Sequence, residues 1–265
     1  MDRKAVDEAV RDMNCALKLD RKIVGVKFLF DEEEFGKADS KKLKGRMAYC
    51  VMVRTAMMGK RIKAAAENFG CMGGARALGM IRLDEMSLSG RFYHKLGLYQ
   101  DLATSKDVHR KVTFCGHKPY GVMVKPLDEY DEEPDVVLIV TNPYNGMRIV
   151  QGYTYVFGFN TSLKMSGTQA VCSECTAFPF ESNDINVSLL CAATRFKAKW
   201  GDEELAIGFP FNQFLPIVKG LYATLDPTEP NEKKAEIEAR CRELNRAVPT
   251  IQYDKNYYTG LNPED

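Results

Sequence analysis

Eight cysteines are the residues of this chain best equipped for chemistry: Cys15, Cys50, Cys71, Cys115, Cys172, Cys175, Cys191 and Cys241. A thiolate is a nucleophile, a redox centre and a soft metal ligand. Eight in 265 residues is too sparse for a disulfide scaffold, and free cysteine otherwise serves as a small buried hydrophobe. Spacing singles out four of them. Cys50 and Cys71 are 21 positions apart, and Cys172 and Cys191 are 19 apart. Their surroundings correspond. Ala48-Tyr49-Cys50 and Thr55-Ala56 lead to Cys71, Arg76, Asp84-Glu85 and Gly90. Ala170-Val171-Cys172 and Thr176-Ala177 lead to Cys191, Arg195, Asp202-Glu203 and Gly208. Upstream, Gly25-Val26-Lys27-Phe28-Leu29 corresponds to Gly121-Val122-Met123-Val124-Lys125. The pattern reads as an internal duplication, with halves at about 24–95 and 120–213. Two such halves, packed about a pseudo-twofold axis, would bring equivalent cysteines to one place.

Four cysteines complete the usual iron–sulfur ligation. The expected ligand set is Cys50, Cys71, Cys172 and Cys191 round one cluster, of 4Fe–4S type. Cys175 forms a C-x-x-C with Cys172, and on a helix the three-residue offset puts both on one face. It is a fifth ligand, an alternate ligand, a nearby thiol that reacts with substrate, or half of a metal-free Cys172/Cys175 redox pair. Gly73 and Gly74, just after Cys71, let backbone come close to a bulky inorganic group. A third reading is a non-catalytic accessory protein whose cysteines are structural or bind zinc. The second close pair of a zinc ribbon is missing, and the dispersed spacing departs from a compact ferredoxin run. His94, His109 and His117 show no ligand spacing.

Weaker candidates lie elsewhere. Asn142-Pro143-Tyr144-Asn145 follows the clearest strand, where ligands gather in α/β sheets. Asn142, Tyr144, Arg148 and Arg195 are candidate substrate contacts, and Arg76 joins the two arginines as a further candidate for an anionic group. Glu174, Asp184 and Glu203 could exchange protons, but no motif pairs them. Gly70-x-x-Gly73-Gly74 lacks the spacing of a dinucleotide fingerprint, and no phosphate-binding loop is present. Lys plus Arg is 37 and Asp plus Glu 36, so the net charge of +1 argues against a nucleic-acid binder. No apolar run nears the roughly 18 residues that span a bilayer, and the first residues lack the apolar core of a signal peptide. The expectation is a cytoplasmic protein that meets a small-molecule substrate or an electron-transfer partner, without nucleic acid or membrane. A homodimer is compatible with this, and whether the chain is an enzyme stays open.

The elements that must position these groups follow from periodicity. Residues 3–19 place Val6, Val10, Met13 and Leu17 at helical spacing. Residues 23–30 and 120–127 read as strands. Residues 47–58 read as a helix carrying Cys50. Residues 134–140 form a continuous apolar run suited to a central strand. Residues 162–166 read as a short strand, and 144–157 as a helix. Residues 231–265 read as a charged helix and an extended tail. The alternation defines an α/β class with a mixed sheet and helices, one domain (1–265) made of two pseudo-symmetric halves.

Several segments together resemble domain-of-unknown-function family 169. They are Cys71-Met72-Gly73-Gly74-Ala75-Arg76-Ala77-Leu78-Gly79, the 134–143 strand and turn, Val171-Cys172-Ser173-Glu174-Cys175, Ser188-Leu189-Leu190-Cys191-Ala192-Ala193-Thr194-Arg195 and Gly208-Phe209-Pro210-Phe211. The resemblance spans about 24–221. It brings no settled activity. It implies cysteines at Cys50, Cys71, Cys172 and Cys191, and in part of the family at Cys175. The chain departs from the pattern at Ala192-Ala193, where glycine usually follows the cysteine.

Overall fold

A computed structural model describes residues 1–247. The first helix, α1 (Arg3–Leu17), is capped by Asp2, whose carboxylate accepts the Ala5 N–H, and it buries Val6, Val10, Met13 and Leu17. The chain continues through β1 (Val24–Leu29), α2 (Glu32–Lys37), β2 (Lys41–Lys42), α3 (Tyr49–Met57), β3 (Ile62–Ala65) and α4 (Met72–Ala77). Three short helices, α5 (Glu85–Leu88), α6 (Arg91–Lys95) and α7 (Leu102–Lys111), precede β4 (Gly121–Pro126). Then come β5 (Val136–Thr141), α8 (Pro143–Phe157) and a π-helical segment over Ala170–Ala177. It is followed by α9 (Phe178–Ser182), β6 (Asn186–Ser188), α10 (Ala192–Ala198) and β7 (Leu205–Pro210). The last elements are α11 (Phe214–Ala223), α12 (Leu225–Thr228) and α13 (Asn231–Glu243). The tail expected from residue 248 to 265 lies outside the described residues.

The strands form one mixed sheet in the order β2-β3-β4-β1-β5-β7-β6. Only β2 and β3 are parallel. As the apolar run at 134–140 implied, β5 is central, between β1 and β7. Its alternate residues serve two cores. Val136, Leu138 and Val140 join the core under α3, the π-helical segment and Trp200. Val137 and Ile139 join the opposite core, with α1, α8 and α11. On that face α8 and α11 cross at contact distance, since a Cβ on Gly220 would stand 2.1 Å from the Gly152 carbonyl oxygen. Leu138→Ala is expected to cost about 2–5 kcal/mol in urea melts, because the packed sheet cannot close over the void. A loss under about 1 kcal/mol would contradict the two-sided burial of β5.

The pairing pattern repeats on either side of the β1–β5 contact. Gly25 stands opposite Val137, flanked by Val24 with Leu138 and Val26 with Val136. Val24 faces Pro126 in β4 as Val136 faces Pro210 in β7. Ile62 of β3 faces Val124 as Asn186 of β6 faces Gly208. In pairing register alone, β1 stands to β4 as β5 stands to β7. The sequence register, 24–95 against 120–213, instead matched β1 with β4. Strands buried on both faces converge on the same residue types, so their likeness does not reveal which two are equivalent. Cys50 and Cys71 follow β2 and β3, and Cys172 and Cys191 follow β5 and β6.

Residues 162–166 are not a strand. The Asn186 side chain takes the ladder's place there. It accepts the Lys164 N–H at 2.9 Å and donates to the Lys164 carbonyl at 2.8 Å.

Candidate functional site: four cysteines on one cavity

Cys50 is the second residue of α3, and Cys71 is the N-cap of α4. The segments leading to them are stitched together: Met47 donates to the Asn68 carbonyl at 2.9 Å, and Gly70 to the Met47 carbonyl at 2.8 Å. Cys191 is the N-cap of α10. Leu190 before it holds φ at 68°, a left-handed conformation that a bulky residue adopts only under constraint. Cys172 sits in the π-helical segment, where Glu174 donates its N–H to the Gln169 carbonyl five residues back, at 3.0 Å. π-turns are rare and recur at functional sites. This one packs directly on β7, since a Cβ on Gly208 would lie 1.9 Å from the Cys175 carbonyl oxygen. Gly208→Ala must push the segment off the sheet. The expected cost is about 3 kcal/mol or more in urea melts, and a cost under about 1 kcal/mol would show that the contact yields freely.

The four sulfur-bearing residues Cys50, Cys71, Cys172 and Cys191 line one cavity of about 370 Å³. Cys50 and Cys191 are buried, whereas Cys71 and Cys172 keep part of their surface open. Tyr49 forms part of the lining, its hydroxyl 3.0 Å from that of buried Thr176. Exposed Met72, Leu96 and Leu98 also line the cavity, with Lys197. Thr194 donates its backbone N–H to Cys191 Sγ at 3.4 Å, and its hydroxyl lies 3.2 Å from the same sulfur. Burial pushes the Cys50 thiol up to about 11, against a hydrogen bond with Thr194 and with help from Cys71 and Cys191. Burial first, then Cys71, Cys191 and Cys50, push Cys172 well above the ordinary thiol range. The charge of any one thiolate is thus felt by the others. A metal centre bound by these groups would displace thiol protons.

Gly73 and Gly74 also line this cavity. A Cβ on Gly73 would stand 4.0 Å from Cys71 Sγ and 3.7 Å from the Tyr93 hydroxyl, and one on Gly74 3.9 Å from Cys172 Cβ. Cys175 is different. It is fully buried, does not line the cavity, and has its thiol pushed up by burial and by Glu174. The one-face argument assumed an α-helix, whereas the segment is π-helical, and of the two only Cys172 lines the cavity. Cys15 and Cys241 share a separate apolar cluster with Leu225 and Ile237. Cys115 is buried beyond α4, its N–H bound to the Ala77 carbonyl.

None of the four candidate substrate contacts lines this cavity. Asn142 caps α8, accepting the Asn145 N–H at 2.9 Å. Arg148 is buried and paired with Glu229, Nε to Oε1 at 2.9 Å, and Tyr144 donates its hydroxyl to the same carboxylate. Arg195 donates to the carbonyls of Leu189, Gly201 and Glu204, clipping the turn between α10 and β7. Glu174 accepts from Ser166 and Ser188, and Asp184 from Tyr153 and Asn160. Residues the sequence did not single out complete the cavity: Tyr93, Gln169, Thr194 and Lys197. Thr194 was findable, three residues after a helix-capping Cys191. Tyr93 and Gln169, 76 positions apart and hydrogen-bonded to each other, carry no local signal. Among the described residues, no three or more Cys, His, Asp or Glu side chains are grouped as they would be round a metal ion.

Fold and site define an α/β protein with a four-cysteine cavity in the helical layer on one face of a mixed sheet. The chain belongs to the family DUF169, described as "Uncharacterised ArCR", which matches residues 12–220. It is 27% identical over 223 residues to Uncharacterized protein MJ0308 of Methanocaldococcus jannaschii, covering 83% of this chain and 95% of that protein. No solved structure matches the chain. No helix among the described residues is long and apolar enough to cross a membrane.

Proposed function

We propose that the cavity holds an iron–sulfur cluster of 4Fe–4S type, bound by Cys50, Cys71, Cys172 and Cys191, and that the protein uses it in redox or cluster-assisted chemistry on a small molecule. One observation carries this reading: four thiols, from four separate segments, line a single cavity of about 370 Å³. Soft sulfur donors in that number suit an iron–sulfur group. The donors suit such a group in kind and number, though no three of them are drawn together here as they would be round a metal ion. The backbone at Gly73 leaves open the space a side chain would fill, and Thr194 already offers its N–H to a ligand sulfur. The group, when bound, supplies one-electron transfer, tuned by hydrogen bonds to its sulfurs and by exposure. The chain's own part is to fix the four thiolates, donate that N–H, and limit water with the apolar rim of Met72, Leu96 and Leu98.

The test is anaerobic purification followed by iron and acid-labile sulfide analysis. The expected result is a brown protein with about four irons and four sulfides per chain. Zinc without sulfide would overturn the reading in favour of an accessory protein. A metal-free protein whose Cys172 and Cys175 oxidise reversibly would overturn it in favour of a thiol enzyme.

A further inference from the structure

The far end of α3 forms part of a second, differently built surface. A groove of about 670 Å³ runs along the sheet edge at β2. It is lined by Lys41, Lys42, Lys44, Lys60 and Arg61, with no acidic side chain in its lining. Lys42 is held by Glu67 at 3.0 Å, and Arg61 by Asp39 and Glu129, each at 2.5 Å. Among the described residues, Lys41, Lys44 and Lys60 have no ion-pair partner, and all three are exposed. In a chain of net charge +1 this is a local surplus. Lysines on an edge strand discourage strand addition. That accounts for Lys41 and Lys42, but Lys44 and Lys60 lie outside β2.

The groove has an apolar centre, half-buried Leu43 and Met47, inside this cationic rim. An apolar centre with a polar rim is the anatomy of a protein interface. No aromatic ring lines it on which a nucleic-acid base could stack. Its position matters too. Thr55 lines the groove and Cys50 lines the cysteine cavity, both on α3. Five residues of helix separate them, about 7.5 Å along the axis.

We propose that this groove docks a small acidic electron-carrier protein, at the opposite end of α3 from the four cysteines. Its acidic surface meets Lys41, Lys44 and Lys60 while its apolar contact covers Leu43 and Met47. Were the cluster bound by Cys50, Cys71, Cys172 and Cys191, it would accept one electron from the reduced carrier, with no proton moved and no bond made or broken. The electron step rests on the cluster reading above, whereas the docking step rests on the charge and shape of the groove alone.

The test uses the full chain and a small acidic [2Fe–2S] ferredoxin as the probe, with affinity measured by calorimetry. Binding is expected to weaken steeply from about 50 mM to about 500 mM salt. The triple variant Lys41→Glu, Lys44→Glu, Lys60→Glu should bind at least about tenfold more weakly, with unchanged melting and unchanged iron content. Undiminished binding by that variant would overturn the proposal. So would tighter binding to a single-stranded oligonucleotide, or equal binding to a basic redox protein. Salt-sensitive, charge-dependent binding by a protein that holds no iron would keep the docking surface and remove the cluster.

Discussion

Serine in place of any one of Cys50, Cys71, Cys172 or Cys191 is expected to lower bound iron from about four per chain to near zero. Stability of the anaerobic protein should fall with it, by several kcal/mol, because metal binding free energy is folding free energy when the ligands come from separate segments. Here they do. Cys50 and Cys71 follow β2 and β3, while Cys172 and Cys191 follow β5 and β6, across the centre of the sheet. Neither pair alone is a complete set. Serine at Cys15, Cys115 or Cys241 should leave iron unchanged, since these thiols lie off the cavity. Iron and melting profile are read on the same samples. A folded Cys172→Ser protein with full iron would remove Cys172 from the ligand set.

The second large effect lies far from the cysteines. Glu229→Ala is expected to destabilise the protein by about 3–5 kcal/mol, because it leaves the Arg148 charge buried and unpaired. The side chains of Arg148 and Glu229 are only 2% and 4% exposed, and the guanidinium also donates to Gln151, Thr228 and the Leu221 carbonyl. Burial already holds the Arg148 pKa below its ordinary value. The pair clamps α8 to the segment after α12. Replacing both partners with apolar residues, Arg148→Met with Glu229→Leu, should cost much less than the single change. Iron content should not move in either variant. A single-variant loss under about 1 kcal/mol in urea melts would show that water reaches the guanidinium.

What the sequence revealed and what it hid divide on physical lines. The apolar run in β5 announced a central strand, because only a strand buried on both faces has no polar side. The helical spacing in α1 announced its buried face. The cysteine pairs were legible because their neighbours repeat in order, Ala48 with Ala170 and Thr55 with Thr176. The equivalent strands were not, since burial gives β1, β4, β5 and β7 the same apolar character. The π-turn was invisible as well. It packs against β7 at Gly208, a contact between residues 33 positions apart that no local pattern announces. Arg148 looked like a ligand for an anion because its partner, Glu229, lies 81 positions downstream. A buried ion pair and a binding arginine are identical in sequence.

The most direct test of the central claim is the set of distances among the Cys50, Cys71, Cys172 and Cys191 sulfurs in a crystal structure of anaerobically prepared protein. With metal–sulfur bonds of about 2.3 Å, the four ligands of one cubane should lie within about 6–7 Å of each other, round iron density. Sulfur pairs lying farther apart with no iron between them, or four sulfurs drawn round a single zinc ion, would contradict it.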